Sequence, residues 1–293
     1  MNKVVSIVVT YNRKELLKEV IEALINQSFK TDIFIIDNHS NDNTFGYIER
    51  YINNNDIKYF DTENNLGGAG GFNFGIKKAL EYEYDYIWIM DDDCIPNYNA
   101  LEELMIAKDK LRNDFGYLSS KVLWKDNSIS LMNIQKKSIF KKIKDFDLDM
   151  QEIKLASFVS LFLKREVIKD IGLPIKDFFV WTDDWEYTAR ISKKYKSYYI
   201  KDSVVIHKSN SNIGANIVEC DVDKIDRFNY LYRNDVYFYS KEGFKGFIYE
   251  CLRLIYHSIK VILKAKNKRF KRLKTIWSAT IKGLSFKPEI EYK

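Results

Sequence analysis

The chain has 293 residues, 46% of them hydrophobic and 30% charged, enough for one sizeable core plus an appendage and too apolar for a disordered chain. Three cysteines (Cys94, Cys220 and Cys251) stand far apart without a CxxC pair, which argues against a cysteine zinc site or a disulfide framework. The net charge of +6 has its excess late in the chain: no acidic residue lies between Glu250 and Glu289, while lysine and arginine accumulate from Arg253 to Lys274.

Residues 4–9 (VVSIVV) read as a buried strand ending at Thr10-Tyr11-Asn12-Arg13, and Leu16, Leu17, Val20, Ile21, Leu24 and Ile25 then recur at helical spacing. Residues 32–37 (DIFIID) predict a second strand, followed by a polar turn and a helix to about Tyr51. IKYF is a third strand, the glycine-rich NLGGAGGFNFG opens a further helix, and YIWIM is a fourth strand running into three aspartates. This alternation predicts an α/β fold, Rossmann-like, with a mostly parallel central sheet covered by helices on both faces. A nucleotide-binding half is expected over 1–115 and an acceptor half over 116–222, where YLSSKVLW, ASFVSLFLK and SYYIKDSVVIH read as strands. FFVWTDDWEYTARISKKY predicts a loop running into a helix capped by Thr182, and 223–293 a basic helical region. No cleavable leader pattern and no run of about 18 uncharged apolar residues is visible, so a cytoplasmic chain is expected.

In an open α/β sheet ligands bind beyond the carboxyl ends of strands. Those ends carry Thr10, Tyr11, Asn12, Arg13, Asp37, Asn38, the glycine loop and Asp91-Asp92-Asp93. Tyr11 offers a face on which a base can stack, and Asp37 or Asn38 can pair with its edge. The glycine loop lacks the third glycine of GxGxxG and the GK[ST] of a phosphate loop, leaving either helix packing or close approach of backbone to a ligand. In extended chain Asp91 and Asp93 share a face, which suits a hard divalent cation; a solvated acidic turn is the alternative. His207, ending SVVIH, is a further candidate ligand or a structural histidine. Asp183 and Asp184 open a helix, where the dipole favours carboxylates and keeps them ionised, as a general base requires. Trp181 and Trp185 flank them with faces on which a sugar can stack, while Glu186 and Arg190 read as a structural i,i+4 pair.

Taken together, SIVVTYNR, IIDNHSNDNT, NLGGAGGFNFG, IWIMDDDCIP, FVWTDDWEYTAR and VVIHK, in that order over about residues 4–208, resemble family 2 glycosyltransferases of the GT-A fold. They are most similar to the bacterial galactofuranosyl- and rhamnosyltransferase branch of surface polysaccharide synthesis. The resemblance implies an inverting transferase in which Thr10, Tyr11, Asn12, Arg13, Asp37 and Asn38 hold the nucleotide. Gly67, Gly68, Gly70 and Gly71, with Asp92, would meet the diphosphate or donor sugar. Asp91, Asp93 and His207 would hold Mn²⁺ or Mg²⁺, and Asp184 would be the base, with Asp183 next to it binding acceptor. Because this chain has WTDD where family members have WDD, the two aspartates can exchange roles. The implied donor is UDP-galactofuranose, then dTDP-rhamnose, then a UDP-hexose, and the alternative from another class is a non-catalytic nucleotide-sugar-binding protein. The implied acceptor is a glycan or polyprenyl-diphosphate-linked chain at the cytoplasmic membrane face, touched by Trp181, Trp185 and Arg233. The basic C-terminal helices read as a peripheral membrane or homo-oligomer contact. Nucleic acid is not expected.

Overall fold

A computed structural model of the chain describes residues 3–54 and 57–293. The elements run β1 (Val4–Thr10), α1 (Lys14–Ile25), β2 (Asp32–Asp37), α2 (Thr44–Asn54), β3 (Ile57–Asp61), α3 (Gly67–Ala79), β4 (Tyr86–Asp91), β5 (Cys94–Pro96) and α4 (Ala100–Lys110). There follow β6 (Tyr117–Trp124), β7 (Lys136–Ser138), β8 (Lys141–Lys142), β9 (Met150–Ile153), β10 (Leu161–Lys164) and α5 (Arg165–Ile171). The chain continues through α6 (Asp183–Ser192), β11 (Ser197–His207), α7 (Phe228–Lys241), α8 (Gly243–Lys264) and α9 (Arg269–Leu284).

The main sheet has the order β3-β2-β1-β4-β10-β6-β11-β5, with β9 also paired to β11. β1, β2, β3 and β4 are parallel, and β10 runs against both β4 and β6, so β6 and β11 point the same way as β1. Thr10, Asp37, Asp91 and His207 therefore end their strands at one edge of the sheet. Successive β1 side chains alternate between two cores: Val8 packs with Leu17, Val20, Leu104 and Trp88, whereas Ile7 and Val9 pack with Phe72, Ile76 and Leu161. Each fully buried aliphatic side chain of this kind contributes about 1.5–3 kcal/mol.

Three sequence expectations need correction. The glycine run does not precede a helix; it is the helix, since α3 starts at Gly67. Gly67 itself has φ of 69°, and a Cβ there would lie 2.1 Å from the Phe179 carbonyl oxygen, so close approach to a neighbouring loop excludes any side chain. ASFVSLFLK is a strand only over Leu161–Lys164, and an antiparallel one. Thr182 occupies the N-cap position of α6 but does not cap it; its backbone is left-handed and its hydroxyl donates instead to Asp235 Oδ1 at 2.6 Å.

The C-terminal helices are interlocked with the rest. α7 packs on α9 and α8 around Tyr232, Leu254, Val261 and Ile276. Beyond α9 the chain folds back across α3 and α5, where Leu173 N–H donates to the Glu291 carbonyl at 2.8 Å.

Candidate active site

The carboxyl edge is built around the three aspartates, which take three different environments. Asp92 is buried and braced: its carboxylate accepts from the Thr10 hydroxyl at 2.8 Å and from Arg13 at 3.2 Å. Asp93 is also buried, and its oxygens face Arg13 at 2.9 Å and His207 Nε2 at 3.2 Å. Burial opposes ionisation of Asp93, yet the hydrogen bond and charge of His207 and the charge of Arg13 hold its carboxyl below the usual range. Asp91 is partly exposed; desolvation first, then the charge of Asp93, raises its carboxyl.

His207 is oriented from behind. Its Nδ1 lies 2.8 Å from Asn133 Oδ1, and that amide is itself fixed by Ser130 Oγ at 2.7 Å and Ser157 Oγ at 3.0 Å. Nδ1 therefore donates, and the Nε2 position is aimed at the Asp93 carboxylate. An unprotonated Nε2 and a carboxylate oxygen 3.2 Å apart repel, so the geometry calls for a cation between them, either a proton or a metal ion. Asp93, Cys94 and His207 bring ligand atoms within 4.8 Å of one another. Burial and the neighbouring carboxylates keep the Cys94 thiol protonated, and a hard divalent ion prefers oxygen, so Cys94 is not the natural third donor. Asp91 feels the charge of Asp93, and its own charge acts on Asp184.

Asp183 and Asp184 differ as sharply. Asp183 is buried at the start of α6, while Asp184 stays partly exposed and accepts the Trp185 N–H at 2.7 Å. Burial of Asp184 works against the ionisation that the helix dipole favours. Burial, followed by the charges of Asp183 and Asp91, raises Asp184 well above the usual carboxylate range. Lys136, whose ammonium lies 3.4 Å from the Trp185 ring centre, opposes that rise.

The loop before these aspartates is strained. Phe179, Trp181 and Thr182 have φ of 65°, 67° and 68°, a conformation that costs each non-glycine residue about 1–3 kcal/mol. α7 holds it. The buried Asn234 carboxamide donates to the carbonyls of Phe178 at 2.9 Å, Val180 at 3.1 Å and Trp181 at 2.9 Å. Asp235 receives the Thr182 hydroxyl and pairs with Arg253 at 2.6 Å, and Arg253 in turn meets Glu250 at 2.7 Å.

Other expected residues divide between the cleft and its frame. The Tyr11 ring is exposed at the rim, and Arg13 is half exposed above Asp92 and Asp93. Asn12 bridges the β1 and β2 loops through Ser40 and Asn41. Asp37 is buried with its oxygens taken by the Tyr59 hydroxyl and the Ser40 N–H, and Asn38 is buried with its amide on the Gly67 carbonyl. Of the four glycines, Gly67 abuts Phe179, Gly70 Leu66 and Gly71 Val9, whereas Gly68 faces open space. Trp181 packs tilted against Phe228 with Arg227 over its ring, and Trp185 against Phe238 with Lys136 over its ring. The Arg233 guanidinium donates to the Asp177 carbonyl at 2.6 Å and covers the Phe286 ring, so it frames the loop before the aspartates. Glu186 and Arg190 do form the expected pair, through two contacts of 2.9 Å.

Sequence reasoning missed Asn133, Lys136, Asp235 and Arg227. Arg227 stacks over Trp181 at 4.9 Å; burial lowers its affinity for a proton, and the like charge of Arg13 lowers it further. No motif marks these residues; they lie outside the strand-end pattern and reach the cleft only through tertiary packing.

The edge thus combines an exposed tyrosine and arginine at its rim, a carboxylate–imidazole pair and a partly exposed carboxylate, and residues 6–172 match the model of glycosyl transferase family 2. The chain belongs to that family. It is 36% identical over 95 residues to galactofuranosyltransferase GlfT1 of Mycolicibacterium smegmatis, covering 32% of this chain and 30% of the relative. It is 28% identical over 209 residues to the poly(ribitol-phosphate) β-N-acetylglucosaminyltransferase TarP of Staphylococcus aureus, covering 69% of this chain and 61% of the relative. The matches therefore span less than two thirds of either relative. Among solved structures, the mannosyltransferase PcManGT of Pyrobaculum calidifontis, in complex with GDP-Man and Mn²⁺, superposes with a TM-score of 0.56 at 16% identity, covering 97% of this chain and 76% of that one. The architecture is the GT-A fold with additional C-terminal helices.

Proposed function

We propose that the chain is an inverting, metal-dependent glycosyltransferase of cell-surface polysaccharide synthesis. Its donor in this reading is UDP-galactofuranose, and its acceptor a glycan or polyprenyl-diphosphate-linked chain, met by a peripheral protein at the cytoplasmic membrane face. The observation that carries the reading is the partly exposed Asp184 carboxylate facing the same cleft as Asp91, Asp93 and His207. The match to a galactofuranosyltransferase supports the donor.

Asp184 takes the proton from an acceptor hydroxyl, and the freed oxygen attacks the anomeric carbon from the side opposite the nucleoside diphosphate. The carbon–oxygen bond to the diphosphate breaks, its electrons leave with the phosphate, and the configuration inverts. Asp91, Asp93 and His207 would hold a divalent ion, which when bound neutralises charge on the departing diphosphate. Tyr11 stacks on the base, Gly68 admits the donor close to backbone, and Arg13 and Arg227 add positive charge at the rim.

The test is a screen of UDP-galactofuranose, dTDP-rhamnose and UDP-hexoses with Mn²⁺, scoring hydrolysis and transfer, with the product anomer assigned by NMR. Turnover of dTDP-rhamnose alone replaces the donor. Retained configuration, or no turnover of any nucleotide sugar, rejects the reading.

A further inference from the structure

The helix α8 buries a mixed face of apolar and charged residues and exposes an apolar one. Glu250, Leu254, Ser258 and Val261 face the protein, and Arg253 reaches inward to Asp235. The opposite face carries Phe244, Ile248, Leu252, Ile255, Ile259 and Ile262, spaced at helical intervals and all exposed, Phe244 at 77% and Leu252 at 61%. α9 extends the surface with Phe270 at 81%, Ile281 at 65% and Leu284 at 73% exposure. Scattered exposed apolar residues need no explanation, but six at helical spacing along α8, with three more on the neighbouring α9, do.

The charge around that face narrows the partner. Lys264, Lys266, Lys268, Arg269 and Lys274 are exposed beside it, and no acidic residue occurs from Cys251 to Pro288. A second copy using the same face would offer no carboxylate to these cations, whereas an anionic phospholipid surface offers both acyl chains and phosphates. Among the described residues no helix is long and apolar enough to cross a membrane, so contact along the surface is the geometry left for the face.

We infer that the outer face of α8 and α9 docks on an anionic lipid bilayer. The inference deepens the peripheral placement proposed above and rests on that reading only for the acceptor. The inner face of α8 adds a consequence for that acceptor. Through Glu250, Arg253, Asp235 and Thr182, the docking helix braces the loop that carries Asp183 and Asp184. The acceptor side of the cleft is thereby held in fixed relation to the lipid surface.

The experiment uses the full chain and vesicles of phosphatidylcholine with or without phosphatidylglycerol, at low and high salt, with cosedimentation, light-scattering mass and soluble donor hydrolysis as readouts. Ile255→Ser with Ile259→Ser removes apolar contact at exposed positions, and Lys264→Gln, Lys266→Gln, Lys268→Gln and Lys274→Gln removes charge. Salt-sensitive binding to the anionic vesicles, weakened about tenfold or more by either set while hydrolysis persists, supports the inference. A stable dimer that the serine pair dissociates, with no vesicle binding, assigns the face to a second copy and overturns it. A monomer that binds no vesicle, or binding indifferent to lipid charge, also overturns it. Vesicle binding without turnover of any nucleotide sugar rejects the proposed reaction and leaves the docking surface standing.

Discussion

The imidazole of His207 is held by the amide oxygen of Asn133, 2.8 Å from Nδ1, so that Nε2 is directed at Asp93. In the proposed metal site Asn133 would then tune metal affinity from behind His207. Asn133→Ala should weaken Mn²⁺ binding by about 10–100-fold, the usual cost of losing a partner behind a ligand. Calorimetric titration of Mn²⁺ into the variant and into His207→Ala checks this; wild-type affinity in Asn133→Ala would remove Asn133 from the site.

Asp184→Asn keeps size and polarity but takes no proton, so transfer should fall by about 10²–10⁴-fold while donor binding survives. Burial and like charge raise this carboxyl, so the base form is lost as pH falls and the rate declines on the acid side. Lys136 works against the rise, and Lys136→Met should move the acid limb of the pH–rate profile to higher pH. A profile unmoved by that substitution, or a crippled Asp183→Asn beside a normal Asp184→Asn, would reassign the roles.

Asn234→Ala removes the amide that spans three carbonyls of the strained loop. Unsatisfied buried carbonyls should cost about 1–3 kcal/mol of stability. Misplacement of Asp184 should also lower kcat by about 10²-fold with the donor KM unchanged. Steady-state kinetics and a thermal melt separate the two effects. A lowered Tm with unaltered kcat makes the clamp structural only.

His257 gives a stability prediction with a definite sign. Burial first, then Arg253 and Lys260, lowers its pKa from 6.5 to about 4, and Nδ1 lies 2.9 Å from the Tyr232 hydroxyl. The folded protein keeps this ring neutral while the unfolded chain protonates it. Its contribution is thus complete above pH 6.5 and is lost as pH falls toward 4. Denaturant melts of His257→Gln should show a shallower loss of stability across that window, and parallel wild-type and variant curves would contradict it.

The strand ends were legible because each follows an apolar run: Thr10, Asp37, Asp91 and His207 needed only the rule that parallel strands deliver ligands to one edge. The helical glycine segment was not legible. Gly67, Gly68, Gly70, Gly71 and Gly75 each disfavour helix by about 1 kcal/mol, and close packing of α3 against Val9 and Ile7 outweighs that propensity. Glu250 and Arg253 look in sequence like interruptions of an apolar helix, because periodicity gives a face but not the side on which the protein lies. Asn234 and Asp235 have no local signature at all, since the groups they hold are remote in sequence.

That remoteness bears on how the enzyme is made. The Thr182–Asp235 bond spans 53 positions, and the Asn234–Phe178 bond 56. On the ribosome the loop emerges well before its clamp, at an elongation rate of about 5–20 residues per second. For those seconds Phe179 has its bond from the Ala69 N–H, but Trp181 and Thr182 lack the Asn234 and Asp235 side chains that hold them in the finished fold. In the proposed reaction a nascent chain would assemble its first strands before the loop beside Asp184 is clamped, and the acceptor side of the cleft would be completed only once α7 has been synthesised.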